Sequence, residues 1–239
     1  MKLILILFSC NLFLGFNCTL YAQDTIFLKN PSFEDTPRKG GEFNPPIKEW
    51  HDCGSINFPG QSPPDIHSGK SNFWDVTKSP ENGDTYISFV TRYSDTYESV
   101  SQLLDQPFEA GKCYQISAYV ALSETYNSAT QRSPMVPVKK GESGIPGYPN
   151  GKTLATENFS NPIELLIWAG DKYCSRKQLL VHSGPIDNYD WKQITLELRP
   201  KEDYQYITIG GFYVYGYTAP YNGHILVDNL SPIVEVECK

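Results

Sequence analysis

Apolar and polar residues alternate along several stretches of the chain, which is the pattern of half-buried β-strands. Every second residue is apolar in residues 112–122, and residues 84–92 and 191–200 show the same alternation. Residues 162–170 are nearly all apolar and predict a central strand that is covered on both faces. No stretch after residue 22 keeps helical periodicity over three turns. The pattern therefore predicts an antiparallel β-sandwich of at least seven strands.

Two adjacent glycines, Gly210 and Gly211, interrupt one of the predicted strands and predict a bulge or bend there. Beyond them, Tyr213, Tyr215 and Tyr217 recur with period two, so they are expected to share one face of the strand. A register slip of one residue would invert that assignment, because successive side chains point to opposite faces.

Two long segments do not read as strands. Residues 36–82 are rich in Pro, Gly, Ser and Asn, and residues 124–161 form a polar insertion between two predicted core strands. Loops of this length are usually functional or disordered. We find no internal repeat, linker or second domain, so residues 23–239 are predicted to form a single domain.

The first 22 residues resemble a processing signal. Lys2 precedes an apolar run over residues 3–16, and the pattern predicts a signal peptide that is cleaved after Ala22. The run is too short to be a transmembrane segment. Residues 7–10 and 15–18 end in cysteine but make poor lipoboxes. We expect a secreted or periplasmic protein, or one at the cell surface, and a lipid anchor is the alternative.

Four cysteines follow the predicted signal peptide: Cys53, Cys113, Cys174 and Cys238. An even number in an exported chain predicts two disulfides, for which three connectivities are open. The spacing is too wide for a zinc-binding CxxC pattern. The chain has a net charge of −7 and no basic run, which argues against nucleic acid or an anionic membrane as its partner.

Motifs of catalysis are absent. The four histidines occur singly, and Ser143 does not lie in a G-x-S-x-G motif. Asp65 and His67 are the best isolated pair, but two such residues in a loop are more often a turn feature than part of a catalytic set. The sequence therefore predicts that the protein is not an enzyme.

Three short stretches resemble a known family. Residues 28–35 (LKNPSFED), 106–122 (QPFEAGKCYQISAYVAL) and 223–233 (GHILVDNLSPI) are similar to motifs of galactose-binding-like β-sandwich, or jelly-roll, domains. Many of these are carbohydrate-binding modules attached to bacterial glycoside hydrolases. The resemblance spans most of residues 26–235 and implies an antiparallel jelly roll with long loop insertions. It supports the fold more than any activity, because this fold carries many functions.

The resemblance also implies a structural calcium ion where the first and last strands meet. Carried over by motif, its carboxylate ligands are Glu34 and Asp228, with backbone carbonyls nearby. Calcium takes six to eight oxygen ligands, which suits such a set. In the alternative interpretation, Glu34 is a solvated strand end and Asp228 accepts hydrogen bonds from a turn.

A disulfide pairing follows from the same resemblance. It implies that the strand beginning at Cys113 runs antiparallel to the final strand, which places Cys113 near Cys238. Cys53 and Cys174 then remain to pair with each other. Such a pair would tie the irregular segment over residues 36–82 to the sandwich.

Aromatic side chains on a rigid sheet suggest a function. Sugar rings have apolar faces and polar rims, so they bind tyrosine and tryptophan flanked by polar groups. The leading hypothesis is non-catalytic binding of a polysaccharide or a cell-surface glycan. The candidate ligand-binding residues are Tyr213, Tyr215, Tyr217, Tyr119, Gln115, Trp74 and Tyr126.

A second hypothesis is a structural or adhesion protein that binds a protein partner at the bacterial cell surface. The length of the insertion over residues 124–161 favours it, since sugar-binding modules rarely need so long a polar arm. A glycan array separates the two hypotheses.

Overall fold

The computed structural model describes residues 24–40, 47–57, 60–129, 134–137 and 152–239. The predicted signal peptide and Ser143 lie outside these residues. Within them, no helix is long and apolar enough to cross a membrane. The helical elements are one turn of α-helix, α1 (Gly54–Asn57), and a 3₁₀ turn (Phe73–Asp75).

Strands make up most of the regular structure. In chain order they are β1 (Thr25–Ile26), β2 (His51–Asp52), β3 (Asp65–His67), β4 (Tyr86–Arg92), β5 (Thr96–Tyr97), β6 (Ser99–Phe108), β7 (Cys113–Ala121), β8 (Asn127–Ser128), β9 (Met135–Pro137), β10 (Lys152–Leu154), β11 (Glu157–Asn158), β12 (Ile163–Gly170), β13 (Gln178–Ile186), β14 (Lys192–Leu198), β15 (Tyr204–Phe212), β16 (Gly223–Asp228) and β17 (Ile233–Val236).

These strands form two main antiparallel sheets. Sheet A has the order β1-β17-β7-β16-β4-β3, with β14 also paired to β7 and β5 to β4. Sheet B has the order β13-β12-β15-β6-β2. Their inner faces enclose one apolar core, to which both sheets contribute alternate residues. The predicted antiparallel β-sandwich is confirmed.

The alternation in β7 predicts the buried face correctly. Tyr114, Ile116, Ala118 and Val120 are all in the core, as is Leu122 just beyond the strand. The all-apolar strand β12 is buried along its whole length between β13 and β15, which confirms its predicted central position.

The predicted bulge at Gly210 and Gly211 is wrong. The pairing of β15 with β12 runs through both residues without a shift. A Cβ atom at Gly210 would lie 2.5 Å from the carbonyl oxygen of Glu98, and one at Gly211 would lie 2.8 Å from side-chain atoms of Ile163 and Phe89. Close approach of neighbouring strands, rather than a bend, therefore requires these glycines.

A second apolar cluster lies on the outer face of sheet A. It contains Tyr86 and Val90 of β4 and Leu226 of β16, which alternate with core residues along their strands. Tyr126 and Phe159 from the 124–161 insertion cover them. In this insertion β8 pairs with β11 and β9 with β10, and residues 130–133 and 138–151 lie outside the described residues.

Two buried histidines pack against the second cluster. His67 Nε2 lies 3.0 Å from the Ser88 hydroxyl, and His224 Nε2 accepts the Ser123 N–H at 2.8 Å. Burial lowers the pKa of each imidazole to about 4, and at His67 the nearby Asp65 carboxylate opposes that shift. Asp65 and His67 lie in strand β3 and not in a turn, which corrects the sequence interpretation.

Two disulfides join distant parts of the chain. Cys113 pairs with Cys238 and Cys53 with Cys174, so the connectivity implied by the family resemblance is confirmed. The first bond follows from the antiparallel register of β7 with β17, in which Cys113 faces Val236. The second joins the segment after β2 to the loop between β12 and β13.

Removing the Cys113–Cys238 bond by a double Cys→Ser substitution is expected to lower the free energy of unfolding by about 4–5 kcal/mol. The reason is that the bond spans 125 residues and restricts the unfolded chain. Urea denaturation of the oxidised wild type and the variant measures the difference. Equal midpoints would show that this bond adds nothing to stability.

The two buried histidines are expected to contribute a loss of stability as the pH falls from about 6.5 to about 4, against the opposite contribution of the buried Asp228 carboxyl, whose pKa burial raises to about 7. Over that range the unfolded chain protonates His67 and His224 while the folded protein keeps them neutral, since burial lowers both folded pKa values to about 4. The expected loss is on the order of 3 kcal/mol per histidine. Denaturation curves at several pH values measure it. A His224→Gln variant with an unchanged pH slope would contradict this origin.

Candidate functional site

The structure separates the three tyrosines that were predicted to share one face. Tyr213 is only 1% exposed and its hydroxyl donates to the carbonyl of Arg92 at 2.7 Å, whereas Tyr215 is 84% exposed and Tyr217 41%. Strand β15 ends at Phe212, and a turn follows in which the Tyr217 N–H donates to the carbonyl of residue 214. Period two does not continue through a turn, so the predicted common face is wrong.

Tyr119 and Gln115 lie on the outer face of sheet A, since both alternate with core residues of β7. Tyr119 is half-buried and Gln115 is exposed. Four residues of strand separate them, or about 13 Å. Tyr215 and Tyr217 follow a strand of sheet B, so the predicted ligand residues do not form one site.

Tyr126 is fully buried, which corrects its assignment as a ligand platform. Its hydroxyl donates to the Asp65 carboxylate and lies 3.1 Å from the Ser88 hydroxyl. These internal partners satisfy the polar end of the ring and allow its burial. Trp74 packs against the same cluster and is half-buried, with Lys39 Nζ 4.7 Å from its ring centroid.

The two predicted metal ligands meet at one loop. Asp228 accepts the backbone N–H groups of Glu81 and Asn82, each at 2.9 Å. Glu34 accepts the N–H of Asp84 with both carboxylate oxygens, each at 3.1 Å. The loop over residues 81–85 therefore bridges the end of β16 and the segment after β1.

The donor set around this loop consists of oxygens. It includes the carboxylates of Glu34 and Asp228, the Asn82 amide oxygen and the Ser32 hydroxyl. The Ser32 hydroxyl donates to the Asn82 amide oxygen at 3.1 Å. A hard cation binds oxygen ligands of this type. Burial raises the pKa of Asp228 to about 7 even though three backbone amides donate to it. Within the described residues, no group of three or more His, Cys, Asp or Glu side chains converges as a metal site. The donors are oxygens, as calcium requires, and the carboxylates of both Glu34 and Asp228 accept backbone N–H groups, which agrees with the alternative interpretation of Asp228 as an acceptor for a turn.

A groove that the sequence did not predict lies at the β2 edge of sheet B. Its volume is about 240 Å³. Tyr173 and His51 form an aromatic wall, and Leu103 adds apolar surface. Lys29 and Glu49 contribute exposed charged side chains to the rim. We call it the Tyr173 groove.

The aromatic wall of the Tyr173 groove is held in place. The rings of Tyr173 and His51 stack with centroids 4.6 Å apart and an interplanar angle of 23°. The edge of Tyr206, on β15, contacts Tyr173 at a centroid distance of 4.9 Å. Tyr173 remains 41% exposed, so part of its ring is available to a ligand. The Cys53–Cys174 bond lies beside both stacked residues and joins the two segments that carry them.

One buried amide fixes the backbone beneath the rim. The side chain of Gln102 donates to the carbonyls of Lys29 and Glu49, both at 2.9 Å, and accepts the Lys29 N–H at 2.8 Å. All of these contacts are with backbone atoms, so the charged side chains of Lys29 and Glu49 keep their polar ends for solvent or a ligand. The groove thus combines a rigid apolar ring with a polar rim.

A signal for this groove was present in the sequence. His51 lies two residues before Cys53, and Tyr173 directly precedes Cys174. The implied pairing of these cysteines therefore also placed the two aromatic rings close together. The hydrophobic pattern alone carries no such information, because His51 lies in a strand of two residues and Tyr173 in a loop.

Comparisons with known proteins find similarity in structure only. No family model and no curated protein sequence matches the chain. A Stig cyclase, Fisc from Fischerella sp. TAU, is 12% identical with a TM-score of 0.48, over 91% of this chain and 100% of the cyclase.

Two further solved structures are of binding or adhesin domains. The CBM22-1 xylan-binding domain of Paenibacillus barcinonensis Xyn10C is 10% identical with a TM-score of 0.42, over 91% of this chain and 98% of that domain. The K3 cleaved adhesin domain of Lys-gingipain from Porphyromonas gingivalis is 9% identical with a TM-score of 0.42, over 89% and 98%.

Proposed function

We propose that this chain is a secreted, non-catalytic carbohydrate-binding protein and that the Tyr173 groove holds the sugar. The observation that carries the proposal is the exposed Tyr173 ring, stacked on His51 in a groove with a charged rim. The C–H face of a sugar ring packs on such an aromatic surface, and its hydroxyls bind the polar groups around it.

Preorganisation favours this groove over the tyrosines that follow β15. Tyr215 is more exposed than Tyr173, but it lies in a turn and its ring contact is His182 at a centroid distance of 5.7 Å. Tyr173 has two ring partners and lies next to a disulfide. A side chain that is already ordered loses less conformational entropy on binding.

The disulfides support an oxidising compartment as the place of function. In the periplasm, at the cell surface or outside the cell, a polysaccharide or a cell-surface glycan is an accessible ligand. The chain is acidic, with a net charge of −7, and this disfavours nucleic acid as its partner.

A structural calcium ion is the second part of the proposal. Glu34 and Asp228 would hold it at the loop over residues 81–85, with oxygens of Asn82 and Ser32 nearby. The cation would neutralise a buried carboxylate whose pKa burial otherwise raises to about 7. Its role would be to hold together the segment after β1 and the end of β16.

Substituting Tyr173 by Ala is expected to weaken glycan binding about tenfold, because aromatic contact of this kind contributes about 1 kcal/mol or more. A glycan array identifies the ligand, and titration calorimetry then measures the affinity of the variant. Circular dichroism checks that the fold is retained.

Tyr215→Ala provides the matched control, since Tyr215 is also an exposed tyrosine but lies in the turn after β15, outside the groove. It is expected to bind as the wild type does. Weakened binding in Tyr215→Ala and unchanged binding in Tyr173→Ala would move the site to the end of β15. If no glycan on the array binds and a specific protein co-purifies with the chain, the adhesion or scaffold hypothesis is favoured.

Calcium is expected to raise the melting temperature by about 5 °C or more at about 100 times its Kd, and EDTA is expected to reverse the effect. Asp228→Asn should remove the calcium dependence, because it removes one of the two anionic ligands. Differential scanning calorimetry with and without calcium measures both effects.

Asp105→Asn is the control for this experiment, since it removes an exposed carboxylate on β6. That variant should respond to calcium as the wild type does. A wild-type melting temperature that is the same in calcium and in EDTA would contradict the calcium proposal and leave the sugar-binding proposal untouched.

A further inference from the structure

A short segment crosses the outer face of sheet B beside the Tyr173 groove. We call residues 171–177 the strap; they connect β12 to β13. The Ser175 hydroxyl donates to Asp171 at 2.9 Å, and the Ser175 carbonyl accepts the Thr208 hydroxyl at 3.3 Å. A Cβ atom at Gly170 would lie 2.4 Å from the Ser175 side chain, so the strap is packed closely onto the sheet. With the Cys174 disulfide, these contacts fix its path.

The strap carries an exposed arginine that rests on aromatic rings. The guanidinium carbon of Arg176 lies 4.8 Å from the ring centroid of Tyr97 and 5.4 Å from that of Trp168. No carboxylate among the described residues forms an ion pair with it. A guanidinium that lies over a ring still has five N–H donors in its own plane, which is the geometry that binds carboxylate or sulfate oxygens in pairs.

The charge of the strap is opposite to that of the whole chain. Its sequence DKYCSRK holds three basic residues and one acidic residue, whereas the chain has a net charge of −7. Asp171 pairs with Lys177 at 3.6 Å. Lys172 and Arg176 are exposed and have no ion-pair partner within the part of the chain that the structure describes. The strap is therefore a local site of positive charge.

Arg176 lies on the same short strap as Tyr173 of the groove. The two residues are three positions apart, so their Cα atoms are at most about 11 Å from each other. Both side chains rest on the outer face of the same sheet. Tyr173 packs on Tyr206 of β15, and Arg176 lies over Trp168 of β12. Trp168 pairs with Thr208, which is two residues after Tyr206 on β15.

We propose that the Tyr173 groove and Arg176 together bind an anionic glycan. The sugar ring packs on Tyr173, and its acidic group, a carboxylate or a sulfate, accepts charge-assisted hydrogen bonds from the Arg176 guanidinium. This inference rests on the proposed function and adds the class of sugar to it. Carboxylate and sulfate present the same oxygen chemistry, so the experiment uses one polymer of each kind.

The test compares each acidic polymer with its uncharged counterpart: polygalacturonate with its methyl ester, and dextran sulfate with dextran. Affinity electrophoresis or calorimetry measures the binding of the full chain. The expected result is binding to at least one acidic polymer that is about tenfold tighter than to its uncharged counterpart. That preference should decline as salt rises from about 50 mM to about 500 mM.

Two substitutions of Arg176 separate charge from packing. Arg176→Met keeps an unbranched side chain over Trp168 and removes the charge, so it should abolish the preference for the acidic polymer and leave binding to the uncharged one unchanged. Arg176→Lys should retain part of the preference. Lys177→Met is the matched control, because it removes a strap charge that already pairs with Asp171.

The outcomes distinguish two claims: that the Tyr173 groove binds sugar, and that Arg176 makes it prefer an anionic glycan. Equal wild-type affinity for charged and uncharged polymers, or an Arg176→Met variant that keeps the preference, overturns the anionic-glycan inference while sugar binding stands. The same holds if Lys177→Met loses as much affinity as Arg176→Met. Weakening of about tenfold for both polymers in Tyr173→Ala, with loss for the acidic polymer alone in Arg176→Met, supports both sugar binding and the anionic-glycan inference. Absence of binding to every polymer and on the glycan array overturns both.

Discussion

The outer face of sheet B is organised around one covalent bond, between Cys53 and Cys174. The bond connects an irregular segment after β2 to the loop between β12 and β13, and the stacked rings of His51 and Tyr173 lie beside it. An exposed ring pair stabilises by about 1 kcal/mol, whereas ordering the backbone of a single residue costs about 1–2 kcal/mol. Stacking alone therefore does not hold the loop after β12 against β2. The disulfide supplies a covalent link between them, beside the pairing of β2 with β6 and the hydrogen bond from the Thr208 hydroxyl to the Ser175 carbonyl.

Much of the fold could be predicted because each strand has a local pattern of apolar and polar residues in the sequence. Alternation in β7 predicts which of its residues point into the core. The nearly continuous apolar run in β12 predicts that this strand is buried on both faces. The disulfides followed from topology, since the family resemblance placed Cys113 against the end of the last strand. This pattern mispredicts which side chains are exposed where a strand ends but the alternation continues in the sequence. Tyr213 and Tyr215 continue period two into a turn, and only the turn decides that one is buried and the other exposed.

The site was harder to predict, because its central ring contact joins residues 51 and 173, which lie far apart in the sequence. His51 and Tyr173 carry no common pattern, and their contact depends on a cysteine pairing. Tyr126 shows the opposite case: a tyrosine in a polar insertion reads as exposed, yet Asp65 and Ser88 satisfy its hydroxyl inside the second cluster. Partners of this kind come from other strands, so alternation along one strand cannot reveal them.

The two outer faces of the sandwich differ in what covers them, and the proposed site lies on the outer face of sheet B. Over β4 and β16 the insertion buries sheet A under a second apolar cluster, whereas at β2 and β15 the strap leaves a groove open beside it. The net charge of −7 does not prevent an anion from binding there. At physiological salt the Debye length is about 8 Å, so acidic groups elsewhere on the surface are screened from a ligand at the strap. In the proposed complex, Lys172 and Arg176 of the strap and Lys29 and Glu49 at the groove rim would therefore set the local field that the ligand meets.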